Sequence, residues 1–242
     1  MNYIEDAKNQ FNNICKDYPN KVVNIYKDEI IKIFYSIYEL NYLCNRIELR
    51  KFYNSNYFDV SFSCLLESFS LILDNYPRGA TLVMRSSLEN FLKYIIEFYN
   101  KYGKFEEFYI DDRKYTCNKV TLNNIIEKMN SIGKISNEVK SECISLNGKM
   151  EMFYKKFSGI SHSLVPENRN TISYFDEIRM IKENHIKTSI DNLKEIVNIF
   201  VSFALILGIE SFKNWNLEDL REVVEISFGK KKTKTYIKLI KN

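Results

Sequence analysis

The chain has 242 residues, of which 45% are hydrophobic, and this share is large enough to form a core and to exclude a disordered protein. Its 35 basic and 31 acidic residues give a net charge of +4, which is too even for bulk charge alone to indicate a nucleic-acid-binding protein. Only seven glycines and three prolines interrupt the long stretches rich in Ile, Leu, Lys, Glu and Asn. The composition therefore predicts an all-α fold, a bundle of about six to eight helices with a long central antiparallel helix pair.

Apolar residues at helical spacing predict four helices in the first half of the chain, over residues 3–17, 21–53, about 57–76 and 80–102. Asn54-Ser55-Asn56 breaks the pattern and can cap the third helix. Pro77-Arg78-Gly79 predicts a tight turn, so the third and fourth helices should be antiparallel neighbours. Residues 103–120 lose this periodicity and predict an irregular excursion.

The second half of the chain predicts four more helices, from Thr121 to Gly133, from Ser136 to about Phe157, from about Ser173 to Phe212 and over 217–227. A loop joins the second of these to the third. The most apolar run, Ile196–Ile209, is shorter than the ~20 residues that cross a bilayer, so it predicts a buried helix and no membrane association. The polar start of the sequence and five scattered cysteines are typical of a reduced, cytoplasmic protein.

The C-terminal end differs in charge from the rest of the chain. We predict one helical domain over residues 1–228, followed by a basic tail over 229–242 that carries six lysines in its last 13 residues. A solvated, frayed terminus is the simpler interpretation. The alternative is an arm that follows the phosphates of RNA, because each lysine–phosphate contact adds salt-dependent affinity.

Two charged residues interrupt the apolar stripe of the fourth helix, which reads Leu82, Arg85, Glu89, Leu92, Ile96. The simplest interpretation of Arg85 and Glu89 is an i,i+4 ion pair, worth about 0.3–0.5 kcal/mol if exposed. Exposure is not expected on so apolar a helix, because Ser86, Ser87 and Asn90 already form a polar side. Burying both ions would roughly cancel their attraction, so the pair is either a structural pair that fixes helix register or the wall of a functional site.

His162 is the one histidine in a Ser/Gly-rich setting, and it follows a predicted helix end with Tyr154, Ser158 and Ser161. A lone histidine is more often a loop or core residue than a catalyst. Small residues at a helix end, however, leave room for a ligand, and hydroxyl groups can fix the tautomer of an imidazole. Tyr154, Ser158 and Ser161 are therefore the candidate substrate-binding residues.

The segments around these residues resemble a broad group of bacterial helical proteins, the HEPN-like and abortive-infection-type families. Those proteins carry an "RSxxE" helix and a "Y-x-x-(L/F)-S-x-x-x-H" segment. The matching residues here span about a third of the chain: Arg85, Ser86, Glu89, Tyr154, Phe157, Ser158 and His162.

The resemblance implies a small helical bundle, usually dimeric, that cuts RNA without a metal or a cofactor. It also implies that a histidine moves a proton to or from the ribose 2′-OH or the leaving oxygen. An arginine would stabilise the charge of the developing phosphorane through bidentate contacts. In this chain, Arg85, Glu89 and His162 are the candidate catalytic residues.

A second candidate pair is Arg179 and His185, which match the usual HEPN signature of an arginine, four to six residues and a histidine. Methionine follows the arginine here, whereas the signature commonly has a polar residue. On one continuous helix the six-residue step is a net rotation of about 240°, so the two side chains would lie on different faces, and a break or a second subunit would be needed to bring them together.

The sequence contains no glycine-rich phosphate loop, no zinc-ligand spacing and no nucleophile elbow, so it predicts no metal and no cofactor. Two functions remain. The first is a HEPN-like defence or toxin-type protein that cleaves RNA. The second is a non-enzymatic dimerisation or partner-binding module, for example one that binds an antitoxin or another defence protein. Whether the chain is an enzyme stays open at this stage.

Overall fold

The computed structural model describes residues 3–17, 20–102, 119–161 and 183–241, and every regular element in these ranges is a helix. In chain order the helices are α1 (Tyr3–Asp17), α2 (Asn20–Ile25), α3 (Lys27–Asn45), α4 (Ile47–Tyr53), α5 (Asn56–Leu73), α6 (Pro77–Tyr102), α7 (Lys119–Ser131), α8 (Asn137–Ser161), α9 (Glu183–Leu207), α10 (Ile209–Phe212) and α11 (Leu217–Lys241). The predicted all-α fold is confirmed for these residues.

Three helices stand where the sequence predicted one long helix over residues 21–53. Tyr26 interrupts the first two, with φ −119° and ψ 31°. Arg46 has an extended conformation, with φ −63° and ψ 138°, and separates α3 from α4. Its guanidinium lies 4.5 Å from the ring centroid of Trp215, so a contact with a distant segment accompanies a break that hydrophobic periodicity does not reveal.

Several helix ends lie where local chemistry predicts them. The Ser55 hydroxyl accepts a hydrogen bond from the amide of Phe58 and caps α5. Ser136 caps α8 in the same way through the amide of Val139. Gly133 adopts a φ of 71° just after α7, which is the left-handed conformation that favours glycine after a helix.

The turn between α5 and α6 lies earlier than predicted. Asn75 takes a left-handed φ of 64°, and the amide of Tyr76 donates to the carbonyl oxygen of Leu71 at 2.7 Å. Pro77 therefore begins α6, because a missing N–H costs nothing in the first turn of a helix. Across the turn, Ser61 and Ser87 each donate their hydroxyl to the carbonyl oxygen of the other, at 2.9 and 2.8 Å.

Helix α9 lies in the core and packs against α3, α5, α6, α8 and α11. Its second half is buried on almost every side, as the apolar run from Ile196 predicted. The rings of Phe91 on α6 and Phe200 on α9 stack with centroids 3.7 Å apart. This packing fixes α6, which carries the candidate site.

The residues that were expected to form a frayed, solvated tail are helical through Lys241 and packed against the rest of the protein. Gly229 breaks α11 with φ 67°, and Tyr236 and Ile240 beyond it are buried. The Tyr236 hydroxyl donates to Glu142 on α8 at 2.6 Å. The frayed-tail interpretation is therefore wrong, because apolar side chains four residues apart hold the segment on the core.

Residues 103–118, which hold most of the predicted irregular excursion, lie outside the described residues. So do residues 162–182, which hold most of the predicted loop and the predicted start of the last long helix. Within the described ranges, no helix combines the length and the apolar character that crossing a membrane requires.

Candidate functional site

The candidate site is centred on the ion pair between Arg85 and Glu89, one turn apart on α6. Arg85 Nε donates to Glu89 Oε1 at 3.1 Å. The side chains are 24% and 37% exposed, respectively. The expectation that the pair is buried is therefore wrong. Both charged groups remain within reach of solvent while their backbone belongs to a helix of the core.

Arg85 and Glu89 are partly exposed because the buried face of α6 does not coincide with the predicted apolar stripe. Leu92 and Ile96 are fully buried, whereas Leu82 is 40% exposed. Ser87, which was expected on the polar side, is fully buried in its paired hydrogen bonds with Ser61. Serines whose hydroxyl groups are hydrogen-bonded can be buried where two helices pack closely. The pattern of apolar and polar residues therefore predicted the wrong edge for the exposed face of α6 near Arg85.

Tyr154 on α8 is the partner that comes from outside α6. Its ring centroid lies 5.4 Å from the guanidinium carbon of Arg85, within the range of a cation–π interaction. Partial burial acts to lower the pKa of Arg85, but hydrogen bonding to Tyr154 and the charge of Glu89 outweigh it, and the pKa is raised. The arginine is held from two sides in its charged form.

The other candidate residues on α8 follow Tyr154 along the helix. Ser158 is four residues further on, on the same face, and it is partly buried. Ser161 is the last residue of the helix, and its side chain is outside the described part of the structure. His162 comes next and also lies outside the described residues. Three predicted site residues are thus brought together: Arg85, Glu89 and Tyr154.

His185, the described residue of the second candidate pair, stands apart from this cluster. Arg179 lies outside the described residues, and His185 lies in the first turn of α9. One turn beyond the histidine, Ser189 donates to the carbonyl oxygen of Pro77, the first residue of α6. At about 1.5 Å per helical residue, His185 and Arg85 are therefore separated by roughly 15–20 Å along the helices. Among the described residues, His185 is therefore not in contact with Arg85, Glu89 or Tyr154.

Two features of chemical interest were not singled out as sites from the sequence. One is Glu39, a fully buried carboxyl group on α3. In the sequence, Glu39 could have been recognised as an acidic residue among the apolar side chains of a long helix. The other is a groove along α11, whose lysines were predicted to lie in a solvated tail.

The cluster of Arg85, Glu89 and Tyr154 provides a positively charged group that is held in place. A guanidinium with a raised pKa and two orienting partners can contact a phosphate or another oxyanion without losing its charge. Among the described residues, no group of three or more His, Cys, Asp or Glu side chains is placed to hold a metal ion.

No family model, curated protein or solved structure matches this chain.

Proposed function

We propose that the protein is a HEPN-like, defence or toxin-type ribonuclease whose polar centre is formed by Arg85, Glu89 and His162. The observation that carries the proposal is the partly exposed side chain of Arg85, which is held by Glu89 and faced by Tyr154. This partial exposure lets a phosphate reach the guanidinium, which a fully buried pair would not allow.

In the proposed reaction the ribose 2′-oxygen attacks the adjacent phosphorus, and the bond to the 5′-oxygen of the next nucleotide breaks. His162 takes the proton from the 2′-OH or gives one to the leaving oxygen. Arg85 stabilises the negative charge on the phosphoryl oxygens, which is greatest in the transition state. Glu89 is a positioning residue, because it holds Arg85 and contacts no reacting atom in this scheme.

The proposal includes a finer description of the molecule. We infer a cytoplasmic homodimer in which α5 and α6 form the central antiparallel pair of the bundle. The support for the pair is that Ser61 bonds to Ser87 and Ser55 donates to Glu97, so earlier positions of α5 meet later positions of α6. The dimer rests on the resemblance alone.

The test is an RNA-cleavage assay with the purified full chain and its Arg85→Ala and His162→Ala variants, run with a chelator present. We expect the wild type to cut RNA and each variant to lose at least 100-fold in rate, since one preorganised donor contributes about 10²–10³. Arg50→Ala is the matched control, because Arg50 is an exposed arginine on α4. It should cleave like the wild type.

Stability measurements separate a functional role from a structural one. Because the Arg85–Glu89 pair is partly exposed, Arg85→Met with Glu89→Leu should change the free energy of unfolding by less than about 1 kcal/mol. Loss of cleavage with unchanged stability supports the proposal. If His162→Ala still cuts RNA, or if it is toxic on expression like the wild type, the assignment of His162 is wrong. Arg179→Ala and His185→Ala then test the other pair.

A partner-binding module without enzymatic activity is the second candidate. The observation that favours it is that Arg85 links α6 to α8 through Tyr154, a contact that can fix helix register with no chemistry. In that case the wild type never degrades RNA, and the Arg85→Met, Glu89→Leu variant is tolerated or stabilised.

A further inference from the structure

A groove of about 870 Å³ lies along α11, between the segment before Gly229 and the segment after it. Lys230, Lys234 and Lys238 from the second segment line the groove, and Arg221 from the first segment also lines it. Its apolar lining includes Leu217 and Ile237. The groove therefore combines a strongly cationic surface with an aliphatic one.

The four cations are only weakly neutralised, although the charge of Lys238 acts on Glu138 of α8. Glu225 is the one carboxylate that lines the groove, and none of the four cations forms an ion pair or a hydrogen bond in the described part of the chain. The acidic residues Glu218, Asp219 and Glu222 of α11 are exposed but do not line the groove. The positive charge is thus concentrated on the groove.

The fifth basic residue that lines the groove, Lys241, is hydrogen-bonded to the protein backbone. Lys241 donates to the carbonyl oxygens of Lys213 and Trp215, at 2.8 and 2.7 Å, and so ties the end of α11 to the segment before it. The groove-lining face is therefore anchored at its far end. It is a fixed surface rather than a tail that could only become ordered on binding.

We propose that this groove binds the phosphate backbone of an RNA strand, without regard to base sequence. The inference rests on the proposed function, because it supplies the second contact region that an RNA-cutting site needs. Lys230, Lys234 and Lys238 follow one another at i,i+4, with about 5–6 Å between neighbouring Cβ atoms. This spacing is of the same order as that of successive phosphates along a nucleic-acid strand.

The lining also determines how RNA is recognised. Among the described residues, no aromatic side chain lines the groove, so these residues offer no platform on which bases could stack. Cations on flexible stems contact phosphates, while Leu217 and Ile237 present aliphatic surface to the sugars. Binding should therefore be independent of sequence and strongly dependent on salt.

The experiment measures the binding of a fluorescent 2′-O-methyl oligouridine to the full chain by anisotropy, over about 50–200 mM salt. The methyl group blocks the 2′-oxygen, so binding is measured without cleavage. For four phosphate contacts at about −0.7 each, log K should fall with log salt at a slope of about −3. In the Lys230→Gln, Lys234→Gln, Lys238→Gln variant, affinity should fall at least tenfold, and the slope should become shallower by about 2.

Two controls make the result specific. Lys231→Gln removes an exposed lysine next to the groove that does not line it, and its affinity should stay within about twofold of the wild type. Replacing the three groove lysines with arginine should retain binding, because the positive charges are kept. The proposal is overturned if the triple Gln variant binds like the wild type. It is also overturned if the chain binds phosphatidylserine vesicles through these lysines and not the oligonucleotide.

The binding result is separable from the catalytic one. Arg85→Ala should lose much less affinity for the blocked oligonucleotide than the triple Gln variant, because it removes one phosphate contact outside the groove. If groove variants lose binding while the wild type cuts no RNA, the groove stands and the ribonuclease proposal falls. If cleavage depends on Arg85 but binding does not depend on the three groove lysines, the ribonuclease proposal stands and the groove proposal falls.

Discussion

At the scale of single residues, Glu39 links the stability of this protein to pH. The side chain is fully buried between α3 and α11, where one oxygen accepts a hydrogen bond from Ser227. Its other oxygen, Oε1, has no hydrogen-bond partner among the described residues. Burial raises the pKa of Glu39 to about 8, although the hydrogen bonds from Ser227 act in the opposite direction. At neutral pH this carboxyl group is therefore mostly protonated.

The raised pKa predicts a stability loss toward alkaline pH. Between the ordinary value of 4.5 and about 8, the folded state holds a proton that the unfolded state has released. The contribution of Glu39 to stability is therefore complete below about pH 4.5 and declines as the pH rises through about 8, by a total on the order of a few kcal/mol. In Glu39→Gln, which carries no charge at any pH, this decline should be absent.

Urea unfolding of wild type and Glu39→Gln at about pH 5 and pH 8 measures the difference. The variant should gain stability relative to the wild type at the higher pH, by at least about 1 kcal/mol. Any constant cost of the new amide cancels in this comparison. Glu222→Gln, at an exposed position on α11, is the control and should show no such gain. Parallel pH profiles for Glu39→Gln and the wild type would mean that Glu39 is already ionised in the fold.

At the scale of elements, the helix ends are set by both local rules and close packing. Gly208 separates α9 from α10 and has an ordinary negative φ of −91°. Its role is steric, since a Cβ there would lie 2.7 Å from a ring carbon of Phe212 and 3.0 Å from a methyl carbon of Leu49. In contrast, a Cβ on Gly148 within α8 would meet nothing within 4 Å.

Two glycine-to-alanine variants should therefore have opposite effects on stability. Gly208→Ala should destabilise the protein by about 1–3 kcal/mol, because the methyl group overlaps the packed ring of Phe212. Gly148→Ala should stabilise it by about 0.5–1 kcal/mol, because alanine loses less backbone entropy in a helix. Thermal unfolding followed by circular dichroism measures both. A stabilised Gly208→Ala would show that the α9–α10 junction has room to adjust.

At the scale of the whole molecule, the last segment of α11 belongs to the core. Ile240 is fully buried, whereas Leu239 next to it is only partly buried. Lys241 also ties this end to the segment after α10, so the end of α11 is held against the segment that precedes the helix.

Ile240→Ala should lower the free energy of unfolding by about 2–4 kcal/mol, as expected for a buried large-to-small substitution. Leu239→Ala should cost less, because its side chain already contacts solvent. Chemical unfolding followed by tryptophan fluorescence is a suitable measurement, since Trp215 lies beside the contact of Lys241. Equal and negligible costs for both variants would restore the frayed-tail interpretation.

The candidate site could be predicted only in part. Arg85 and Glu89 are four residues apart, so helical spacing alone placed them together. Tyr154 was named from a motif, but its contact with Arg85 bridges α6 and α8 and needed the tertiary structure. The degree of exposure was mispredicted, because it depends on which face of α6 meets α5, and the buried Ser61–Ser87 contact decides that.

By itself, the sequence determined the all-α class and several helix limits, because caps such as Ser55 and Ser136 act within one turn of the backbone. Only the tertiary structure showed that Glu39 is buried and that the C-terminal segment is helical and packed on the core. Glu39 bonds to a residue 188 positions away, and Tyr236 to one 94 positions away. Such contacts depend on how whole helices pack, and helical periodicity carries information about one helix at a time.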